Sequence, residues 1–384
     1  MLLASALTCL LIALSIGREL GFFTDRFIYV RQYAAMLRLV DEHYIGQYEV
    51  DEINTSAMRS AVFSLDDRWS YYMTQDELEI RQTRTNNSYA GIGVIVANDK
   101  DYGGMLIRSV HRDSAAETAG IVAGDLVTGI DGVDVTDYDL DEIFELLTRP
   151  VGSTVLLEII RENGSVEEVS VVYSIIYVDP VSYEMFDDNI GYIAISNFNN
   201  GAANGFIAAT EYLIGQGAQT FVFDVRDNGG GILYEMTDIL EHLIPEGEIF
   251  IAVDKSGIEQ IIYSSGPGLV GYPSVVLVDR DTYSAAEYFA AILREYDYAL
   301  IVGEQTSGKS RSQQTFRLPG GGALSISSAQ YLTKNRVSLH DAGGLTPDYL
   351  ISLTDDELDL FYAGDLTGSA DPQLNMAIAL LTKQ

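Results

Sequence analysis

The chain has 384 residues and a formal net charge of −33 at pH 7, from 56 acidic and 23 basic side chains. So acidic a surface repels phosphate backbones, which argues against a nucleic-acid-binding protein. A hydrophobic content of 47% excludes wholesale disorder, and a single cysteine excludes disulfide scaffolds and cysteine-ligated metal sites.

The first 17 residues, MLLASALTCLLIALSIG, carry no charged side chain. This run is at the short end of the range for a membrane-spanning helix and longer than most signal-peptide cores. Arg18, Arg26 and Arg31 follow it, and under the positive-inside rule this pattern does not favour export of the following chain. A buried core helix is the alternative. We interpret residues 1–23 as a signal sequence or membrane anchor and predict an extracytoplasmic protein of the cell envelope, membrane-anchored or secreted.

Residues 24–88 are predicted to be helical, because in YVRQYAAMLRLVDEHY the apolar residues recur every three or four positions. Residues 89–174 change to short β-type runs punctuated by glycine and aspartate turns. Between these runs, DYDLDEIFELLTR places four apolar residues on one helical face, Leu140, Ile143, Phe144 and Leu147. The pattern predicts a compact α+β domain of five or six strands.

Residues 175–354 alternate between strand and helix patterns. The β-type runs there are NIGYIAISNF, TFVFDVRD, PSVVLVD and ALIVGE. Continuous apolar runs separated by helical segments predict a mainly parallel sheet with crossover helices. Residues 355–384 form an acidic, weakly amphipathic tail to which no function is assigned.

The four histidines give little support to metal or triad chemistry. His43, His111, His242 and His340 form no HExxH or other paired ligand spacing, which disfavours a zinc hydrolase. A Ser-His-Asp triad would have to use His242 or His340, and neither follows a strand-to-helix turn. We predict no metal and no organic cofactor.

Ser284 and Lys309 are the residues that best suit chemistry. Ser284 follows the run PSVVLVD and precedes a helix starting at Ala285, although an ordinary N-cap role explains this serine better when it is taken alone. Lys309 lies 25 residues further on, after the next strand, and a solvated loop lysine is its ordinary interpretation. Because parallel strands end at one edge of a sheet, the two side chains can meet there.

A third element is DVRDNGGGIL, residues 224–233, where three glycines leave backbone N–H groups free to approach a ligand. A turn into the next helix is the alternative interpretation. A serine, a lysine that is neutral when desolvated, and a donor loop together suit acyl transfer.

These motifs resemble those of the carboxyl-terminal processing (tail-specific) serine peptidases. TYSAAEY resembles the family's SASASEI, TSGKSRSQ resembles TFGKGxVQ, and DVRDNGGG resembles DLRxNPGG. The resemblance implies that Ser284 is the nucleophile, Lys309 its base, and Gln313 the residue that orients the lysine. It also implies an oxyanion hole formed by Gly230 and the N–H of Ala285, in a ClpP/crotonase-like core.

The middle of the chain resembles the family's PDZ domain. GIGV resembles the loop that receives a peptide's terminal carboxylate, which implies peptide binding by Gly91, Ile92, Gly93 and Val94. Upstream, LDDRWSYY resembles LDPHSSYL, and near the end GGLTPDY resembles GIxPD. The chain departs from the family at Thr282, Ala286 and Ser307, and its TKNRVS replaces a TPxG turn; none of these positions belongs to the predicted dyad.

The sequence therefore predicts a multidomain α/β protein with an anchor (1–23), a helical region (24–88), a PDZ domain (89–174), a peptidase core (175–354) and a tail (355–384). We predict a serine endopeptidase with a Ser-Lys dyad that cleaves polypeptides at or near their C-termini. The PDZ domain would bind substrate tails or an activating partner. The alternatives are a catalytically degenerate PDZ scaffold or adaptor, and a serine hydrolase of small esters.

Overall fold

The structure, a computed structural model, describes residues 27–99 and 103–382. The signal sequence or anchor predicted at residues 1–23 lies outside the described residues. The chain divides into two compact units, residues 1–64 and 65–384, and each is described by itself.

The described part of the first unit consists of two helices, α1 (Phe27–His43) and α2 (Val50–Phe63). Asp51 and Glu52 lie in the first turn of α2, where they complement the positive end of the helix dipole. The helical pattern predicted here is confirmed. Neither of these helices, nor any other in the described ranges, has the length and apolar character needed to cross a membrane.

The second unit begins with a strand and a helix that precede the predicted PDZ region. These are β1 (Tyr71–Met73) and α3 (Gln75–Thr85). The strand lies within residues 24–88, where only helix was predicted, and it is held by antiparallel pairing with residues 323–325 rather than by a local pattern. Helix α3 starts at a capping box, in which the Thr74 hydroxyl accepts from the Glu77 N–H and the Glu77 carboxylate accepts from the Thr74 N–H.

The next region is a small, mainly antiparallel α+β domain, as the glycine-punctuated strands predict. Its elements are β2 (Ser88–Gly91), β3 (Val94–Asn98), β4 (Met105–Val110), α4 (Ala115–Thr118), β5 (Leu126–Ile130), β6 (Val133–Asp134), α5 (Leu140–Leu147), β7 (Thr154–Ile160), β8 (Val166–Val172) and β9 (Ser174–Tyr177). The main sheet has the order β3-β4-β5-β7-β8, β6 pairs with β5, and β2 pairs with β9. Ile143 of α5 is fully buried against this sheet's apolar face.

The C-terminal region contains the remaining elements. They are β10 (Val181–Phe186), β11 (Ile190–Ile195), α6 (Ala202–Gly215), β12 (Thr220–Asp224), α7 (Leu233–Leu243), β13 (Gly247–Asp254), β14 (Glu259–Ser264), β15 (Ser274–Val278), α8 (Ala285–Glu295), β16 (Ala299–Gly303), β17 (Arg311–Arg317), β18 (Ala323–Thr333), β19 (Tyr349–Leu350), α9 (Asp355–Tyr362) and α10 (Pro372–Leu381). Short 3₁₀ turns cover Asp187–Asn189 and Gly368–Ala370.

The central sheet has the order β10-β11-β12-β15-β16-β19, and every pair except β10–β11 is parallel. All five residues of β15 are buried, as expected for a strand covered on both faces. A second, antiparallel sheet, β1-β18-β13-β14 with β17 on β18, was not anticipated from the sequence. Because β12, β15 and β16 are parallel, the segments that follow them lie at the same edge of the central sheet. These segments are residues 225–232, the turn containing Ser284 and the loop containing Lys309.

The tail beyond residue 355 also contributes to the core. Leu374, Ala377 and Leu381 of α10 pack on one face of the central sheet, against Val275 and Val302. Buried apolar contacts of this kind stabilise a domain by about 25 cal/mol per Å².

Candidate active site

Ser284 has an unusual backbone conformation. It precedes α8 in the N-cap position, but with φ 59° and ψ −125°. The capping residues Thr74, Asp139 and Thr354 are all extended, as N-caps ordinarily are. With ψ at −125°, this backbone lies outside the left-handed helical region, and sparsely populated conformations of this kind cost about 1–3 kcal/mol each and cluster at functional sites. A capping role alone therefore does not account for this serine.

A buried carboxylate, Glu287, joins the serine to the lysine loop. Its Oε2 accepts from the N–H of Ser284 at 3.1 Å and from the N–H of Lys309 at 2.8 Å, while Oε1 accepts from the N–H of Gly308 at 2.7 Å. Because one oxygen binds both donors, the backbone nitrogens of Ser284 and Lys309 lie within about 6 Å of each other. Sequence reasoning missed Glu287, although its position three residues after Ser284 matches a capping box.

Lys309 is half-buried, and its amine lies against aromatic rings. Nζ is 4.4 Å from the centroid of the Trp69 ring and 5.5 Å from that of Tyr283. Burial lowers the pKa of Lys309 to about 8, with smaller contributions from the nearby Arg81 and Arg68 guanidinium groups. Among residues 27–99 and 103–382, no hydrogen bond joins Nζ to the Ser284 hydroxyl. The fold thus brings the two backbones together and leaves the amine on the aromatic rings.

The side chain of Gln313, on β17, is turned to other partners. Its Nε2 donates to the Arg311 carbonyl at 3.0 Å and to the Ser327 hydroxyl at 3.2 Å. Within the described part of the chain it makes no hydrogen bond to Lys309, so its role in orienting the lysine stays a prediction.

The two residues predicted for the oxyanion hole lie beside the serine. Gly230 has φ +85°, and a Cβ at this position would lie 2.8 Å from Ala285 N and 2.9 Å from Ser284 Cβ, so only glycine fits. Its N–H donates to Asn228 Oδ1 at 2.8 Å. The Ala285 N–H is in the first turn of α8 and has no acceptor in the ranges that the structure describes. One of the two donors is therefore engaged and the other is free.

Two buried polar side chains fix the loops that carry these donors. Asn228 is fully buried: its side-chain amide donates to the Ile195 carbonyl at 2.7 Å, and its backbone carbonyl accepts from the Tyr283 N–H at 3.1 Å. Asp279 accepts from the Asp227 N–H and from the Thr282 hydroxyl, both at 2.9 Å. Burial raises the pKa of Asp279 to about 6. Thr282, one of the departures from the family motif, thus has a structural role.

Arg226 ties the same loop to the C-terminal tail. Its guanidinium pairs with Asp224 at 2.6 Å and with Asp371 at 2.8 Å, and all three side chains are buried. Tyr192 also donates to Asp224, at 2.8 Å. Because Asp371 caps α10, this network couples the position of residues 225–232 to the tail.

The predicted peptide-binding loop lines a groove of about 980 Å³. Gly93 has φ +87°, and a Cβ there would lie 2.4 Å from Ser114 Cβ. The carbonyls of Ile92 and Gly93 accept from the N–H groups of Ala116 and His111. The groove is lined by this loop and β3, by α5 and by one face of α3, including Gly91, Val94, Phe144, Leu147, Ile80 and Thr83.

The described ranges hold no cluster of three or more histidine, cysteine, aspartate or glutamate side chains that could bind a metal ion. His340, in the segment between β18 and β19, contacts the loop that carries Lys309, with Nδ1 3.3 Å from the Gly308 carbonyl oxygen. Among the described residues, neither His340 nor His242 is hydrogen-bonded to Ser284.

Comparison with known proteins agrees with these features. The profile of peptidase family S41 matches residues 189–351, and a PDZ domain profile matches residues 106–161. The chain is 30% identical over 325 residues to the carboxyl-terminal-processing protease of Picosynechococcus sp., covering 83% of this chain and 77% of the relative. It is 29% identical to the protein of the same name in Synechocystis sp., covering 85% and 76%.

A third relative, the carboxy-terminal processing protease CtpA of Bacillus subtilis, is 30% identical, and the match covers 79% of this chain and 65% of the relative. A crystal structure described as an S41 protease from Bacteroides fragilis superposes with a TM-score of 0.58 at 20% identity, covering 89% of this chain and 91% of that one, which shows the fold. The chain belongs to the carboxyl-terminal-processing protease family within peptidase family S41, and it is a serine peptidase with a PDZ domain.

Proposed function

We propose that the protein is a serine endopeptidase that uses Ser284 and Lys309 as a dyad and cleaves polypeptides at or near their C-termini. The observation that supports the dyad is the Glu287 carboxylate, which hydrogen-bonds the backbone N–H groups of both residues. The strained backbone of Ser284 supports a catalytic rather than a capping role.

In this mechanism the Ser284 Oγ attacks the scissile carbonyl carbon while its proton passes to the neutral Nζ of Lys309. The N–H groups of Gly230 and Ala285 stabilise the resulting oxyanion. As the carbon–nitrogen bond breaks, Lys309 returns the proton to the leaving amine. Water then hydrolyses the acyl-enzyme ester, again with Lys309 as the base.

Two rearrangements precede the first step. The Lys309 amine has to leave the Trp69 ring and reach the Ser284 hydroxyl. The Gly230 N–H has to exchange Asn228 Oδ1 for the substrate oxygen. The first rearrangement moves one side chain, and the second exchanges one hydrogen bond. A bound substrate can therefore complete the site while the surrounding helices and strands stay in place.

The pH dependence of this base has a definite sign. Since only the neutral amine accepts a proton, activity rises as pH increases through the Lys309 pKa, which burial lowers to about 8. A metal-free dyad is also resistant to chelators.

We further propose that the PDZ groove binds the C-terminal tail of a substrate or of an activating partner. The tail would add as a strand along β3, with its carboxylate at the N–H groups of Gly91–Val94. Phe144 and Leu147 offer apolar contacts to the last side chain of the tail.

We also propose an extracytoplasmic location, membrane-anchored or secreted, on the basis of the apolar run in residues 1–17. Cell fractionation followed by N-terminal sequencing of the protein tests this location and any cleavage.

The central experiment compares wild type with the variants Ser284→Ala and Lys309→Ala on an unstructured polypeptide with a free C-terminus, across a range of pH, and maps the fragments by mass spectrometry. We expect both variants to lose cleavage and to retain tail binding. Lys334→Ala is the control, since Lys334 also lies over an aromatic ring, 4.3 Å from Tyr296, away from the site. A wild type that binds tails but never cleaves would support the scaffold alternative. One that cleaves small esters but not polypeptides would support the esterase.

A further inference from the structure

The aromatic contact of Lys309 is a feature that the mechanism above does not use. The Lys309 amine lies 4.4 Å from the centroid of the Trp69 ring, and the Trp69 and Tyr283 rings are 5.8 Å apart. Trp69 stands where the LDPHSSYL pattern has a serine.

The indole is the nearer of the two aromatic rings that contact the Lys309 amine. Nζ makes no hydrogen bond or ion pair within the part of the chain that the structure describes, although the side chain is half-buried. An ammonium over the face of a tryptophan is attracted by the ring quadrupole, and partial desolvation strengthens this attraction. The ring therefore favours the charged form of Lys309, which cannot accept the serine proton.

Charges around the pair partly balance each other. The Arg68 guanidinium lies 4.2 Å from the Trp69 ring centroid, and Arg81 also disfavours the charged lysine. The carboxylates of Asp67 and Glu287 favour it. Because the arginines stay charged at any ordinary pH, they do not contribute a titration of their own.

The neighbours of Trp69 in the sequence are bonded to the β17–β18 hairpin, which follows Lys309 in the chain. The Ser70 hydroxyl accepts from the Ser327 N–H of β18 at 3.0 Å. Asp67 pairs with Arg311 at 3.4 Å, and Arg311 is two residues after Lys309. The backbone that carries the indole is thus held in place, whereas the flexible four-carbon stem of lysine lets the amine move away from the ring.

We propose that Trp69 is a positioning residue whose ring holds the Lys309 ammonium in a resting position apart from the Ser284 hydroxyl. The proposal rests on the proposed role of Lys309 as the base. Release of the amine from the ring is then a step that precedes proton transfer from the serine.

A first test uses fluorescence, because Trp69 is the single tryptophan of the chain. In the full-length Ser284→Ala protein, excited where tyrosine does not absorb, we expect the emission to titrate with one midpoint near pH 8, the pKa of Lys309. The double variant Ser284→Ala/Lys309→Met should lose that titration. A curve unchanged by Lys309→Met, or no titration in either protein, would overturn the proposal.

A second test measures how fast a fluorophosphonate labels Ser284 at neutral pH. Loss of the ring contact in Trp69→Leu should accelerate labelling about twofold to thirtyfold, and Trp69→Phe should fall between this variant and wild type, because a phenyl face binds cations more weakly. Tyr296→Leu is the matched control: it removes the ring under Lys334, at the opposite end of α8, and should leave labelling unchanged.

Labelling of Trp69→Leu at or below the wild-type rate, with a native circular dichroism spectrum, contradicts the resting role of Trp69. Failure of the proposed dyad has a different signature, in which Lys309→Met labels as fast as wild type. If the leucine variant does not fold, the fluorescence titration of the unaltered tryptophan still decides the proposal.

Discussion

Replacing Glu287 by glutamine tests how the nucleophile and the lysine loop are held together. The carboxylate is fully buried and accepts four hydrogen bonds, two at each oxygen, from Ser284, Thr306, Gly308 and Lys309. Whichever way the amide turns, its NH₂ group faces two of these donors. Each donor left unsatisfied costs about 1–3 kcal/mol. Because the Thr306 hydroxyl can rotate whereas the three backbone N–H groups cannot, one or two donors lose their acceptor, and the free energy of unfolding should fall by about 1–6 kcal/mol.

The same change should alter catalysis in a way that simple loss of stability does not. The Glu287 charge opposes the burial that lowers the Lys309 pKa, so its removal should lower that pKa further. The remaining activity of the folded variant would then rise at lower pH than in wild type. Steady-state proteolysis across pH gives this profile, and urea unfolding monitored by circular dichroism gives the stability.

Glu357→Gln provides the matched control, because Glu357 is the third residue of an ordinary capping box, where it accepts from the Thr354 N–H at 2.7 Å. As a change at a helix end outside the site, it should alter stability by less than about 1 kcal/mol and leave the pH profile unchanged. If Glu287→Gln behaved like Glu357→Gln in both measurements, the structural link between Ser284 and Lys309 would be refuted.

Three further substitutions follow from the geometry. Gly230→Ala places a Cβ 2.9 Å from that of Ser284 and should lower kcat by about 10²–10³ in steady-state assays, as loss of an oxyanion donor does; an active variant would move the oxyanion hole elsewhere. Gly93→Ala, at φ +87°, should weaken binding of a fluorescent tail peptide with its carboxylate free, measured by anisotropy, and an unchanged Kd would argue against this loop. Arg226→Met leaves the buried Asp371 without its cation and should cost about 3–5 kcal/mol in urea unfolding, whereas a loss below about 1 kcal/mol would mean that the pair is not structural.

The sequence by itself determined the classes of element and the order of the motifs. A period of 3.6 residues predicts the helices of the first unit, because burial of one helical face imposes that period. Continuous apolar runs predict the parallel strands, which are buried on both faces, and short runs between glycine and aspartate turns predict the small antiparallel domain. The motifs around Ser284, Lys309 and Gly230 could be located in the same way, since each depends on a few adjacent residues. Elements with weaker patterns escaped: the β13–β14 and β17–β18 strands are only partly buried, and α10 was recognisable as part of the core only from the sheet face that it covers.

Only the tertiary structure decided which side chains meet. Glu287 and Trp69 lie 22 and 240 residues from Lys309 in the sequence, and no local pattern relates such distant positions. Crossover helices and a returning strand bring them together, so the contact arises from the closure of long loops rather than from periodicity. For the same reason, the sequence predicted a lysine near a serine, whereas the folded chain places the lysine's backbone beside the serine and its amine on an indole ring.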